Sequence, residues 1–250
     1  MNAKALPPAP RGPRLLALDT STETMFVAVV DGDQQWAGQA PGGMLSSQQL
    51  LPLVFAQLDQ AGLTLADLDA VAFGQGPGAF TGLRTACSVA QGLALGAQLP
   101  VLPLDSLALV AEDAFADVAH RFAQVWVAMD ARMEEVYAAA YRRGEAGWQA
   151  ASPPALWPLA SLAAAWRDEP PLALAGSALA AFGERLPTAG AHCVAQSIDR
   201  PAALARLARM AWQRGLARDA ALALPQYLRD KVALTTAERA AIAAAKTLQP

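Results

Sequence analysis

Apolar residues in this chain fall into short runs separated by glycine, proline and small polar clusters. Short apolar runs bounded by turn signals read as buried strands, and apolar positions recurring every three or four residues read as helices. On that basis Arg14–Leu18, Thr24–Val30 and Gln34–Gln39 are predicted strands, with Asp31-Gly32-Asp33 as the tight turn between the last two. A helix is predicted over Ser46–Ala61, with Ser46 and Ser47 as cap candidates and Gly62 as its stop. Its apolar residues fall on two faces: Leu50, Leu53, Val54 and Ala61 on one, Leu51, Phe55 and Leu58 on the other. Ala70–Phe73 reads as the next strand, followed by a loop through Gly74, Gly76, Pro77 and Gly78. A helix then runs from about Ala79 to Leu95, Gly96 ends it, and a strand starts at Leu99. This is a βαβ unit, whose crossover joins parallel strands.

Arg84 is the only ionic side chain between Phe80 and Gln98. A surface helix shows one polar face. This one shows Ala, Gly, Ser, Cys and Leu all round, so both sides are expected to be covered, one by the sheet and the other by a second layer such as another protein.

The order repeats in the second half. Gln124–Asp130 is a predicted strand ending in Asp, as Leu15–Asp19 does, and Glu135–Tyr141 and Gly147–Ala150 follow as strands. Leu159–Trp166 (helix), Leu172–Ala175 (strand), Ala178–Leu186 (helix) and Ala191–Ala195 (strand) come next. Pro201–Arg218 is an alanine-rich helix with proline in its first turn. Two β-β-β-α-β-α-β halves joined near residues 105–123 imply a duplicated α/β architecture. The expected boundaries are a disordered tail at 1–13, an N-terminal lobe at 14–104, a C-terminal lobe at 105–224 and a tail at 225–250 that includes the helix-prone Thr236–Lys246.

Composition narrows the class. The chain is 54% hydrophobic and 16% charged, which favours a sizeable core over disorder. It has no uninterrupted apolar window of about 18 residues, and its Pro-rich start lacks the apolar stretch of a signal peptide. No membrane association is expected, and a cytoplasmic address follows by default. A net charge of −3 argues against tight nucleic-acid binding by this chain alone. Cys87 and Cys193 are expected to be reduced, buried thiols.

Candidate chemistry is thin. The glycine loop is no P-loop, because no Lys-Ser/Thr pair follows it. A dinucleotide fingerprint would be Gly74-x-Gly76-x-x-Ala79 with Asp105, but that acid lies roughly 31 residues on rather than about 20. Anion binding at the helix N-terminus and a tight strand-to-helix turn remain. Asp19-Thr20-Ser21-Thr22 sits where an acid and hydroxyls would hold metal and phosphate. The matching turn, Asp130-Ala131-Arg132-Met133-Glu134, has no glycine to let a phosphate approach. The clamp is half missing, so Asp19, Ser21, Gly76, Gly78 and Asp130 are at most a vestigial nucleotide or anion site. His120 and His192 show no metal-ligand spacing. Arg206, Arg209 and Arg218 read as a solvated helix face.

LLALDTST (15–22), FGQGPGAFTGLR (73–84), AQGLALG (90–96), MDARMEEVY (129–137) and YLRDKVA (227–233) together resemble the TsaB (YeaZ) family. The resemblance implies an actin-like, Hsp70-like (ASKHA) fold of two ribonuclease-H-like lobes. It implies a non-catalytic subunit, with no metal and no cofactor of its own beyond weak nucleotide binding at the complex interface. Its partners would be TsaD, which transfers threonylcarbamoyl to adenosine 37 of ANN-reading tRNAs, the ATPase TsaE, and a second copy of itself. TsaC would make the threonylcarbamoyl-adenylate, and tRNA would be met only within the complex. In that family the contact is a bundle of the two N-lobe helices. Here Leu50, Val54, Leu83 and Leu93 would be its anchors, and Ala86, Ala90 and Ala94, with Gly82, would allow close approach. Relatives often carry a histidine aligned near Ser46, which this chain lacks. Two rivals remain: an ATP-dependent phosphotransferase or nucleotide hydrolase of the same fold using Asp19 and Asp130 around Mg²⁺, and a metallopeptidase.

Overall fold

The computed structural model describes residues 11–145 and 147–229. Residues 1–10 of the predicted tail, residues 230–233 of the last motif and the predicted Thr236–Lys246 helix lie outside the described residues.

The first lobe is built on one mixed sheet. β1 (Arg14–Asp19), β2 (Thr24–Asp31) and β3 (Gln34–Pro41) form an antiparallel meander. α1 (Ser46–Ala61) leads to β4 (Ala70–Gly76), which pairs parallel with β1. α2 (Phe80–Ala97) leads to β5 (Val101–Asp105), parallel with β4, so the strand order is β3-β2-β1-β4-β5. α3 (Ser106–Phe115) then crosses to the second lobe. There β6 (Val125–Asp130), β7 (Glu135–Gly144) and β8 (Gly147–Pro158) form a second meander. α4 (Leu159–Asp168), β9 (Ala173–Ala175), α5 (Ala178–Phe182), β10 (His192–Val194) and α6 (Arg200–Gln213) complete it. Its strand order, β8-β7-β6-β9-β10, repeats that of the first sheet. The duplicated α/β arrangement expected from element order is therefore present in the topology.

The strands of β1 are apolar on both faces because both faces are covered. Leu15 and Ala17 enter the inner core, Leu16 and Leu18 the outer one. On the inner side the two closing helices change places. α6, from the second half, packs on β1, β2 and β3 of the first sheet, while α3 packs on β6 and β7 of the second and against α6 itself. One apolar core thus joins the lobes. The outer faces are covered separately, by α1 and α2 on the first lobe and by α4 and α5 on the second.

Several predicted boundaries are corrected. α3 occupies what sequence pattern read as a join, and all ten of its residues are buried, Glu112 and Asp113 included, so it shows no polar stripe to detect. α2 runs through Gly96 to Ala97, and the left-handed residue that stops it is Gln98 (φ 57°). β8 is twelve residues long and passes through Pro153 and Pro154, which an edge strand tolerates. α5 has only five residues, and α6 ends at Gln213. Leu58 shares the buried face of α1 with Leu50 and Val54.

Nor are the arginines of α6 a solvated face. Arg206 Nε donates to buried Glu112 Oε1 (2.6 Å). Arg209 clamps the β2–β3 turn, donating to the Gly32 carbonyl (3.0 Å), the Gln34 carbonyl (2.8 Å) and Gln35 Oε1 (2.8 Å). Arg218 lies beyond the helix, bridged through its backbone to Val101. Cys193 is exposed on β10, whereas Cys87 is buried in α2 and burial pushes its thiol pKa up.

Candidate functional site

The ends of β1, β4 and β6 point into a cleft of about 680 Å³ between the lobes. Asp19 closes β1 and is buried. Its Oδ1 accepts from Ser21 N (2.9 Å) and Ser21 Oγ (2.6 Å), and its Oδ2 accepts from Ser106 Oγ (2.8 Å). Thr20 Oγ1 donates to the Gly82 carbonyl (2.5 Å) and Thr22 Oγ1 to the Thr24 carbonyl (2.7 Å). Each hydroxyl of the first turn is therefore engaged inside the lobe rather than offered to a phosphate.

The glycines have the same explanation. A Cβ on Gly74 would sit 1.8 Å from Asp19 Oδ2, one on Gly78 2.6 Å from Ser21, and one on Gly82 1.8 Å from the Thr20 carbonyl. Gly76 adopts φ +118° beneath the Gln226 carbonyl. The glycine loop is shaped by close approach to the 19–22 turn, and Ala79 N at the head of α2 donates to the Ser21 carbonyl (2.8 Å). Of the two readings left open, the tight strand-to-helix turn fits this geometry.

The second turn, Asp130–Glu134, departs from the first. Arg132, Met133 and Glu134 lie at φ 64°, 56° and 59°. Left-handed backbone costs a non-glycine residue roughly 1–2 kcal/mol, so the surroundings must hold it. Asp130 Oδ1 accepts from Arg132 N (2.8 Å). Arg229 donates to the Ala131 carbonyl (2.9 Å) and pairs with Glu135, and Arg185 pairs with Glu134. Arg132, 74% exposed in its side chain, leans toward Glu23 of the opposite lobe (3.6 Å).

Sequence pattern gave no hint of the segment at 226–229, which straps this cleft. Gln226 N donates to the Gln75 carbonyl (2.6 Å), and the Tyr227 ring stacks on Phe80 (4.7 Å) while its hydroxyl accepts from Arg84 Nε (3.1 Å). Only the YLRD match hinted that these residues matter. Asp105, at the end of β5, caps α3 through Leu107 N (2.9 Å) and accepts from the Tyr141 hydroxyl (2.6 Å). Burial raises its carboxyl pKa, the hydrogen bonds opposing. Among the described residues no group of three His, Cys, Asp or Glu side chains could hold a metal. His192 stacks on Phe122 (5.6 Å) and His120 is exposed. Among the described residues no helix is long and apolar enough to cross a membrane.

Most of the candidate docking residues face inward. Leu50, Val54, Ala86, Ala90 and Ala94 are buried in their own lobe's outer core, Leu83 is buried beside Gly76 at the wall of the cleft, and Leu93 is half-buried against the outer core. The small side of α2 thus permits close approach to its own sheet, which alternating small and large residues could not reveal in advance. The outward face of the pair carries other apolar residues: Leu51 (39% exposed), Phe55 (45%) and Leu95 (56%). Ser46, where relatives often have histidine, is buried with no partner for its Oγ.

Comparison with known proteins places this geometry. A family model described as "TsaD: tRNA N6-adenosine threonylcarbamoyltransferase" matches residues 44–246. The tRNA threonylcarbamoyladenosine biosynthesis protein TsaB of Haemophilus influenzae is 44% identical over 123 residues, 49% of this chain and 51% of that protein. TsaB of Escherichia coli is 41% identical over 134 residues, 54% and 57% respectively. The chain thus spans about half the length of the curated relatives it matches. The structure of YeaZ from Pseudomonas aeruginosa is 38% identical, with TM-score 0.76 over 86% of this chain and all of that one.

Proposed function

The chain belongs to the TsaB/YeaZ branch of the family that this model describes, and from that premise we propose that it is a non-catalytic scaffold in tRNA threonylcarbamoyladenosine biosynthesis. It acts by docking onto TsaD, with TsaE and tRNA joining the complex, and it pairs with a second copy through the same N-lobe helices. One observation carries the reading: the cleft carboxylate, Asp19, is buried and held by Ser21 and Ser106, while the outward face of α1 and α2 leaves Leu51, Phe55 and Leu95 to solvent. A reagent needs access to its substrate, and a docking face needs exposed apolar area at its centre. The geometry favours docking on both counts. The cleft retains nucleotide affinity only where the partner completes it.

Size-exclusion chromatography with purified TsaD tests this. One heterodimer peak is expected, lost on Leu51→Glu with Phe55→Glu while the monomer keeps its helical circular dichroism. Separate elution of the unmodified proteins, with no self-association either, would refute it. The phosphotransferase reading makes the opposite forecast: Mg-ATP turnover by the chain alone, abolished by Asp130→Asn.

A further inference from the structure

The first residue of α6 is a buried arginine that its own lobe only partly uses. Arg200, 8% exposed, donates from Nε to Asp113 Oδ2 (3.0 Å) and lies over the Phe26 ring (5.8 Å). Asp113 is fully engaged, because Ser197 Oγ (2.8 Å), Ile198 N (3.2 Å) and Asp199 N (2.7 Å) also donate to it. That carboxylate takes the start of α6 and a single guanidinium N–H. Among the described residues nothing accepts a hydrogen bond from Nη1 or Nη2 of Arg200. Buried polar groups are ordinarily paired. These two are not sealed in protein, and they open into a chamber of about 190 Å³ that Arg200 lines. The chamber is a side pocket of the cleft between the lobes, with Thr24, Met129 and Ser177 in the walls of both. No acidic side chain lines it. Thr24 reaches it from β2 of the first lobe and Gln196 from the loop after β10 of the second. Neither the Thr24 hydroxyl nor the Gln196 amide bonds another described residue.

We propose that this chamber binds a small oxyanion, inorganic phosphate or a short carboxylate, on the Nη edge of Arg200, with Thr24 and Gln196 donating from either side. The free edge of a guanidinium presents parallel N–H groups that match two oxygens of either anion. Asp113 grips the opposite side of the fork and so holds that edge toward the chamber. Its own charge is spread over four donors, which leaves the pocket receptive to a second anion. Size selects the ligand. Sites for drug-sized molecules run to roughly 300–1,000 Å³, so this one suits a lone anion and is too small for a nucleotide. The bound anion joins β2 of the first lobe to α6 and the β10 loop of the second, and ties the lobes together at the floor of the cleft.

Isothermal titration calorimetry of the full chain tests this, with inorganic phosphate and acetate titrated separately against a chloride background of matched ionic strength. Saturation at one anion per chain is expected, and the tighter of the two identifies the oxyanion. Arg200→Lys keeps a cation beside Asp113 but loses the fork, and should weaken binding about tenfold or more. Thr24→Val leaves the ion pair intact and removes one donor to the anion, and should weaken binding about tenfold. Circular dichroism checks that each variant is folded, and Thr24→Val decides the matter if Arg200→Lys is not. Failure of both anions to saturate, or an affinity that Thr24→Val leaves unchanged, would overturn the proposal.

Discussion

The two lobes share an element order and a strand order, yet they spend the turn after the first strand in opposite ways. In the first lobe that turn is drawn inward: Asp19 is locked by Ser21 and Ser106, and Gly74, Gly78 and Gly82 press against it. In the second it bulges outward through three left-handed residues, held from outside by Arg229 and Arg185. The first half pairs its acid with glycines but engages both within the lobe, and the second half has no glycine in its turn. The outer helices differ as well, long and apolar on the first lobe, short and gapped on the second. A duplicated fold therefore supplies positions, and what each position does is set locally.

The largest expected effect concerns what the lobes share. Glu112, buried on α3, pairs with Arg143 and Arg206 and accepts from Trp148 Nε1 (2.8 Å). Glu112→Ala leaves two partly exposed arginines without their anion, the buried Trp148 indole without its acceptor and a cavity at a fully buried site, and should cost about 3–5 kcal/mol in urea unfolding, melting both lobes together. Separate transitions would show that the exchanged helices do not couple them. Next, Leu50→Ala and Leu83→Ala should each cost about 2–5 kcal/mol, because both side chains are fully buried within the first lobe. Leu51→Glu and Phe55→Glu should stay within about 0.5 kcal/mol of the parent and act on association alone. Equal stability losses at the four positions would erase the distinction between inward and outward faces.

The two turns should respond with opposite signs. Gly82→Ala places a Cβ against the Thr20 carbonyl and should lose about 1–3 kcal/mol. Met133→Gly relieves a left-handed residue, 53% exposed, and should gain about 1 kcal/mol in thermal unfolding. A loss at Met133 would mean its side chain packs more than its backbone strains. The smallest effect is a pH slope. Burial holds Asp105 above the ordinary carboxylate pKa of about 3.9. The folded state then binds a proton the unfolded chain has released, so stability should fall as pH rises from that value through the raised one. Asp105→Asn should flatten that limb.

Much of this was legible in the sequence. Short apolar runs bounded by turn residues marked the strands of both meanders, and Ser46, Ala61 and Gly62 marked α1 to the residue. What was not legible has physical causes. α3 was hidden because a helix buried all round has no stripe. β8 was cut short because its prolines look like breakers, and only an edge strand tolerates them. The inward packing of Ala86, Ala90 and Ala94 was unreadable because small residues permit close approach on either side. The Asp19 turn was read as depleted for want of a glycine in its counterpart. The hydrogen bond from Ser106, 87 residues away, has no trace in local pattern.

Two variants in one assay bear on the central claim. Threonylcarbamoylation of an ANN-reading tRNA, reconstituted from TsaC, TsaD, TsaE and this chain, would be compared for Leu51→Glu/Phe55→Glu and for Asp130→Asn. The account predicts loss of product with the first and retention with the second. Product retained when the outward helix face is charged, and lost when Asp130 is neutralised, would contradict it.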